Sequence, residues 1–439
     1  MAKKEHHFYD SPFSTALVFL TAFTWIWFWS GRYSMSAALA NDAQNYFQSA
    51  ADILAGTRSP LLTDVNGATF SDVGYPNFLA IGFSIFGASV KIAQILNAAL
   101  WGGSCIFLYS ILKTEIASKR ALFFSVILAS SPTLTSFGGK IYSEHLAIFA
   151  GVLCFWSAYR GVRWSPLFAL GGFLLVVTKS AFFFLFPIIF VGCILRRNFA
   201  FCVAALAVVA FALPIQIHLQ RGARGAIQVA AQTAKLDLLN YSTVLRCSAY
   251  NLSTNLGERI FPEVEGACRV NAGGLNFPLQ GINYEELAIR RVKDGFTYDD
   301  GVRIILKSPF KYVLIGITTL FSAVWIEGLY PDAVKGIGPR TRIVFWLLKV
   351  GYSTLLWIGV LLFFKTAIEG PLHRRIAFLI AIPFVFIFLF QMNVPAEQRY
   401  FFPLIPLLYL ANALYLGGSQ RNRIKSIRSF FKKKTLVAR

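Results

Sequence analysis

Apolar runs of membrane-crossing length recur along this chain, and where water is absent such runs leave the backbone helices as its way of satisfying its own polar groups. Twelve apolar stretches, separated by short basic clusters, lie between Ser14 and Leu416. The stretches Ser14 to Ser30 and Val90 to Leu112 reach far enough, at 1.5 Å rise per residue, to span hydrocarbon. With 56% of residues hydrophobic and 14% charged, the expected fold is an all-α polytopic membrane protein of about 11–12 transmembrane or re-entrant helices. A soluble globular fold is excluded.

The net charge of +21 is too dispersed to mark a nucleic-acid surface. Its basic residues sit between apolar runs, where they act as topology signals. The tail, residues 418–439, holds Arg421, Arg423, Lys425, Arg428, Lys432, Lys433, Lys434 and Arg439 with no acid, which suits the anionic cytoplasmic leaflet. Met1 to Asp10 is too short and polar for a secretory leader, so the first apolar run is expected to stay as a span with the N-terminus in the cytoplasm. Lys113, Lys119 and Arg120, then Arg160 and Arg163, then Arg196 and Arg197 then fall on the same side.

On that frame residues 1–217 form an N-terminal transmembrane module whose first outer loop is 31–89. Within that loop, Tyr75 to Gly87 is short for a crossing and reads as an interfacial helix. The segments Ser131 to Glu144 and Thr178 to Ser180 are expected as outer turns. Residues 218–309 carry 11 Lys and Arg against 9 Asp and Glu, the near balance of a translocated loop domain. Cys247 and Cys268 share that loop and could pair as a disulfide or stay apart, whereas Cys105, Cys154, Cys193 and Cys202 lie in apolar runs as small hydrophobes. Residues 310–417 supply four further apolar segments, Phe310 to Gly328, Ile343 to Phe364, Ile376 to Gln391 and Tyr400 to Leu416, ahead of the tail 418–439. Four crossings from outside would leave the tail outside, against the basic signals at His373, Arg374, Arg375 and beyond Leu416; the basic signals are the stronger guide.

Four ionisable residues fall at the edges of this membrane body, where a charge is costly to keep and so points to function when it faces a cavity. Asp42 follows the first span; it is either a solvated loop acid or a base. Glu144 opens an inward-going span, where a carboxylate suits either the helix dipole or chemistry. Lys179 lies in a turn between apolar runs, placed for snorkelling or for holding a phosphate as a point charge. Arg399 opens the last span with a guanidinium fork suited to phosphate oxygens, and Glu397 could pair with it. Tyr46, Asp72, Tyr75, His145 and Tyr400 flank these four as candidate donor or acceptor pocket residues. No phosphate loop of the nucleotide-hydrolase kind and no His or Cys metal spacing occurs. The sequence demands no cofactor, and leaves room for a divalent cation beside the acids.

In order, the chain carries an acid in the first outer loop, SDVGYPNFLAIGFSIFG at 71–87, SPTLTSFGGKIYSEHL at 131–146, VVTKS at 176–180 and EQRYFFPLIP at 397–406. By that order and spacing it resembles the GT-C superfamily of membrane glycosyltransferases, and within it the bacterial branch related to protein O-mannosyltransferases and lipid A aminoarabinose transferases. The resemblance implies transfer of a sugar from a polyprenyl-phosphate donor to an acceptor at the periplasmic face of the inner membrane. It implies Asp42 as general base, Glu144 as a second acid orienting the acceptor, and Lys179 and Arg399 as grips on the carrier phosphate. A single acid stands at Asn41-Asp42 where the O-mannosyltransferases carry an acidic pair, which turns the implied acceptor from protein toward a lipid or glycan.

The residues stand up chemically without the name. A sugar on a phosphate leaving group needs a carboxylate to take the acceptor's proton and positive charge where the leaving oxygen becomes anionic. Inversion at the anomeric carbon follows from one direct displacement. Two other classes remain open. An O-antigen polymerase or ligase would concentrate Arg and His in the largest loop, where His218 is the one histidine. A lipid-linked sugar flippase would carry an internal repeat, and none is legible.

Overall fold

The computed structural model describes residues 11–39, 42–60, 73–179, 182–183, 185–195, 197–221, 339–369, 374–391 and 402–417. Among these the chain is helical, with no strand. Among the described residues three helices are long and apolar enough to cross a membrane: Pro12–Ser30, Val90–Glu115, and Leu347–Ile368 within a longer helix.

The first of them, α1 (Pro12–Ser30), starts with proline in its first turn, where the missing N–H is no loss. Its buried residues are Ser14, Val18, Ala22, Ile26 and Ser30, one narrow stripe at the i, i+4 spacing. Phe13, Leu20, Trp25, Trp27 and Phe28 are exposed on the rest of its surface. A helix apolar all round yet packed along one stripe suits a lipid environment. Small residues let it lie close to its neighbours: a Cβ on Gly138 would come within 2.8–2.9 Å of Ile26 side-chain atoms.

Two short helices follow, α2 (Met35–Ala38) and α3 (Asp42–Leu54), then α4 (Gly74–Phe86). At 13 residues, α4 has the short span expected of the Tyr75 to Gly87 stretch. The longest helix of this half, α5 (Val90–Glu115), is capped by Ser89, whose hydroxyl accepts from the Ile92 N–H at 3.2 Å. It is followed by α6 (Ser118–Ala129), α7 (Pro132–Phe137), α8 (Glu144–Arg160), α9 (Ser165–Thr178), α10 (Leu185–Leu195) and α11 (Phe199–Arg221). Helices α8 and α9 approach closely at Gly171, where a Cβ would stand 2.9 Å from the Ala150 carbonyl oxygen and 3.0 Å from the Cys154 sulfur. Cys105, Cys154 and Cys202 are free thiols buried among the helices.

Helices α5 and α8 run in the same direction. Near their starts, Gln94 and Asn97 donate to the carbonyls of Gly139 and Lys140 at 2.8 and 3.0 Å. Near their ends, Trp156 Nε1 donates to Ser110 Oγ at 2.6 Å, and the Tyr159 hydroxyl donates to Glu115 at 2.6 Å. The bundle therefore has two chemically distinct ends, one at Glu144 and one at Arg160. At 1.5 Å per residue, the α8 axis separates them by about 24 Å.

The C-terminal helices are α12 (Pro339–Glu369), α13 (Arg374–Gln391) and α14 (Phe402–Gly417). Arg375 Nη2 donates to the Ala158 carbonyl at 2.9 Å and Arg120 Nη1 to the Gly417 carbonyl at 2.8 Å. The 374–375 basic pair, Arg120 and the start of the basic tail thus share the Arg160 end. At the other end, Ile215 of α11 packs with Val73 and Val177. Helix α12 finishes where α13 begins, so it starts at the end where α11 finishes. That direction for α12 agrees with the basic signals at Arg374, Arg375 and beyond Leu416. Phe310 to Gly328 itself, the loop 218–309 apart from the last turn of α11, and the tail 418–439 lie outside the described residues.

Candidate functional site

The segment joining α6 to α8 is where the fold departs most from the sequence reading. An outer turn was expected at Ser131 to Glu144, yet every residue from Thr133 to Ile148 is buried. The reason is that many of its polar groups are satisfied by its own short helix and by neighbouring helices. Ser131 caps α7 by accepting from Leu134 N–H, Thr135 Oγ1 donates back to the Ser131 carbonyl at 2.7 Å, and the Tyr33 hydroxyl donates to the Ser136 carbonyl at 2.7 Å. Gln94 and Asn97 of α5 hold the two peptide carbonyls that follow. A backbone bond from Ile141 N–H to the Ala38 carbonyl at 3.3 Å ties the same segment to α2.

Glu144 opens α8 from this buried loop. Its position in the first turn is favoured by the positive end of the helix dipole. The side chain of Ser143, the residue before the helix, makes no capping bond. The Glu144 side chain is 3% exposed, and its Oε1 lies 3.4 Å from Lys179 Nζ, whose side chain is 15% exposed. Lys179 follows α9 directly in extended backbone (φ −143°, ψ 95°), so the helix end delivers its ammonium to the start of α8. A carboxylate and an ammonium 35 residues apart in sequence therefore form one ion pair, with the carboxylate buried and the ammonium partly exposed.

Three further elements converge on this pair. The start of α4 presses on the end of α9: a Cβ at Gly74 would fall 2.6 Å from Thr178 Oγ1 and 2.9 Å from the Thr178 nitrogen. That contact sets Tyr75 inside the corner, fully buried, with its hydroxyl donating to Asn97 Oδ1 at 2.9 Å. Tyr75 lies within electrostatic range of Glu144 and Tyr46. Tyr46 of α3 meets the Tyr75 ring edge-on at 5.5 Å and the Tyr142 ring at 6.4 Å. Asp42 sits one helical turn before Tyr46 and on the same face, partly buried at the first residue of α3. From α14, Phe402 packs against Phe137 at 5.0 Å, and Phe137 stacks on His145 at 6.2 Å.

The corner is rich in polar side chains. His145 Nε2 pairs with the Leu134 carbonyl at 3.1 Å. Among the described residues, His145 Nδ1, Ser143 Oγ and Thr178 Oγ1 are buried with no hydrogen-bond partner. Buried polar atoms are almost always satisfied, and these three belong to residues next in sequence to Glu144 or Lys179; Ser125, Ser157 and Trp164 carry unmatched atoms elsewhere in the bundle. Lys140 is also buried here, its ammonium 5.6 Å from the Tyr142 ring centroid. No group of His, Cys, Asp and Glu among the described residues is arranged to hold a metal ion.

Of the residues expected from sequence, Glu144, Lys179, Tyr46, Tyr75 and His145 meet in this corner, and Asp42 stands at the head of a helix packed into it. Asp72, Arg399, Tyr400, Cys247 and Cys268 lie outside the described residues. The sequence reading missed Asn97, Gln94 and Lys140. Their signal was present: two amides three residues apart inside an apolar run are costly in a bilayer unless they hold something. No family model and no curated protein sequence matches this chain.

Proposed function

We propose that this protein is an integral membrane glycosyltransferase of the GT-C type, moving a sugar from a polyprenyl-phosphate donor to a lipid or glycan acceptor. The observation that carries this reading is the Glu144–Lys179 pair in a corner that also holds unpartnered polar groups at Ser143, His145 and Thr178. In the proposed reaction the acceptor oxygen attacks the anomeric carbon as the bond from that carbon to the phosphate oxygen breaks. The acceptor proton passes to the Asp42 carboxylate. The polyprenyl phosphate leaves with the bonding electron pair, and its charge is met by Lys179 and Arg399. One displacement inverts the anomeric centre.

In this reading Glu144 has two tasks. It holds the Lys179 ammonium at a fixed point, and it offers an acceptor for a sugar or acceptor hydroxyl. An ammonium carries three N–H donors, so facing Glu144 does not exhaust it. Burial strengthens each of these contacts, because water no longer competes for them. The reaction is proposed to occur on the periplasmic face of the inner membrane, with the Arg160 end toward the cytoplasm, as the basic clusters at that end favour.

The test is transfer by purified protein in liposomes loaded with extracted polyprenyl-phosphate sugars. Asp42→Asn is expected to lose transfer by 10²-fold or more, the usual scale for removing a general base, while still retaining the donor lipid. Lys179→Ala is expected to weaken donor retention. Full transfer by Asp42→Asn overturns the assignment of the base, and unchanged donor retention by Lys179→Ala overturns that of the cation.

A further inference from the structure

We propose that Asn97 is a positioning residue of the corner: its side-chain amide fixes the segment that leads into Glu144 against the helix start that bears on Lys179. Asn97 is fully buried within the apolar helix α5, where an amide is costly unless its polar atoms are met. Both ends are met. Its Nδ2 donates to the Lys140 carbonyl at 3.0 Å, and its Oδ1 accepts from the Tyr75 hydroxyl at 2.9 Å.

The direction of each bond is forced. A peptide carbonyl can only accept, so the amide nitrogen must face Lys140; the amide oxygen then faces Tyr75, whose hydroxyl must donate. Turning the amide over would set two oxygens against each other at Lys140. The Tyr75 proton is thereby committed to α5, although Tyr75 lies within electrostatic range of Glu144. A second amide stiffens the hold: Gln94, one turn earlier on the same face of α5, donates to the Gly139 carbonyl at 2.8 Å. Two consecutive peptide units are gripped from one helix.

Each bond of Asn97 leads to one half of the ion pair. Lys140 stands four residues before Glu144, and the stretch between them is buried. Tyr75 follows Gly74, where a Cβ would fall 2.6 Å from Thr178 Oγ1, and Thr178 precedes Lys179. Asn97 thus joins two lines of contact, one ending at the carboxylate and one at the ammonium, which lie 3.4 Å apart. It touches neither charged group. Its effect on sugar transfer rests on the reading of the corner given above; its effect on the pair does not. Sites lose rate steeply when a supporting contact slackens by about 1 Å.

The experiment uses full-length protein in liposomes. A small imidoester modifies exposed lysine amines, and peptide mass spectrometry gives the rate at Lys179, with Lys349, buried in α12, as the internal reference for loss of fold. Tyr75→Phe removes one of the two bonds, and Asn97→Leu removes both. Labelling of Lys179 should rise about threefold in the first and about tenfold in the second, the scale of one and two hydrogen bonds, while Lys349 stays at the parent rate. The donor KM should rise in the same order. Lys179 labelled at the parent rate in both variants, or rising only together with Lys349, overturns the proposal. If Lys179 labelling alone rises while the parent transfers no sugar or the donor KM stays fixed, the positioning role stands and the assignment of the corner to the donor falls. Tyr75→Phe deletes a single oxygen, so it decides even if Asn97→Leu fails to fold.

Discussion

Removing Lys179 should destabilise the protein more than removing Glu144, and removing both should restore most of the loss. The two charged atoms are 3.4 Å apart; at an effective dielectric constant near 20, Coulomb's law gives a gross attraction of about 5 kcal/mol. Most of that offsets desolvation in the intact pair. Breaking a buried pair from one side typically costs about 3–5 kcal/mol, because the survivor keeps its charge and loses that counter-charge. The asymmetry comes from exposure. With 3% of its side chain exposed, Glu144 has little access to water once Lys179→Met removes the cation. Lys179, at 15%, can swing its flexible stem toward headgroups when Glu144→Gln removes the anion. We therefore expect about 3–5 kcal/mol for Lys179→Met, about half of that for Glu144→Gln, and a double variant within about 1 kcal/mol of the parent. The assay is a double-mutant cycle on unfolding midpoints in detergent, followed by tryptophan fluorescence. Single variants within about 0.5 kcal/mol of the parent and additive in the cycle would refute the pairing.

Two further perturbations probe the scaffold around the pair. Asn97→Ala strips the acceptor from the Tyr75 hydroxyl and the donor from the Lys140 carbonyl, and should cost about 1–3 kcal/mol for each buried group left unmet, read as loss of midpoint; a neutral result would mean that water takes over both bonds. Gly74→Ala drives a methyl into Thr178 and should cost about 1–3 kcal/mol of overpacking together with weaker donor retention, because Lys179 is the next residue. Gly151→Ala, whose methyl would meet nothing within 4 Å, is the control and should be neutral or slightly stabilising.

The helices that hold this corner were legible in the sequence wherever hydrophobicity alone decides. The expected spans Ser14 to Ser30 and Val90 to Leu112 appear as Pro12–Ser30 and Val90–Glu115, since an uninterrupted apolar run in helical register has one way to bury its backbone. The short Tyr75 to Gly87 stretch appears as Gly74–Phe86. The segment from Ser131 to Glu144 was not legible. Expected as an outer turn, it is buried instead: Thr135 and Ser136 donate to carbonyls of their own short helix, and the amides of Gln94 and Asn97 take the Gly139 and Lys140 carbonyls. Such long-range satisfaction leaves no periodic trace. For the same reason Glu144 and Lys179 could be singled out separately but not as a pair.

The central claim is that the corner at Glu144 and Lys179 transfers a sugar, and comparison of envelope glycans tests it most directly. Glycolipids and polysaccharides from cells carrying the intact gene, lacking it, or complemented with Asp42→Asn should be compared by mass spectrometry, with membrane levels of each protein matched. The account predicts that one species loses the mass of a single sugar unit both in the deletion and in the Asp42→Asn strain, and regains it with the parent protein. Identical glycan masses in all of these strains would contradict it.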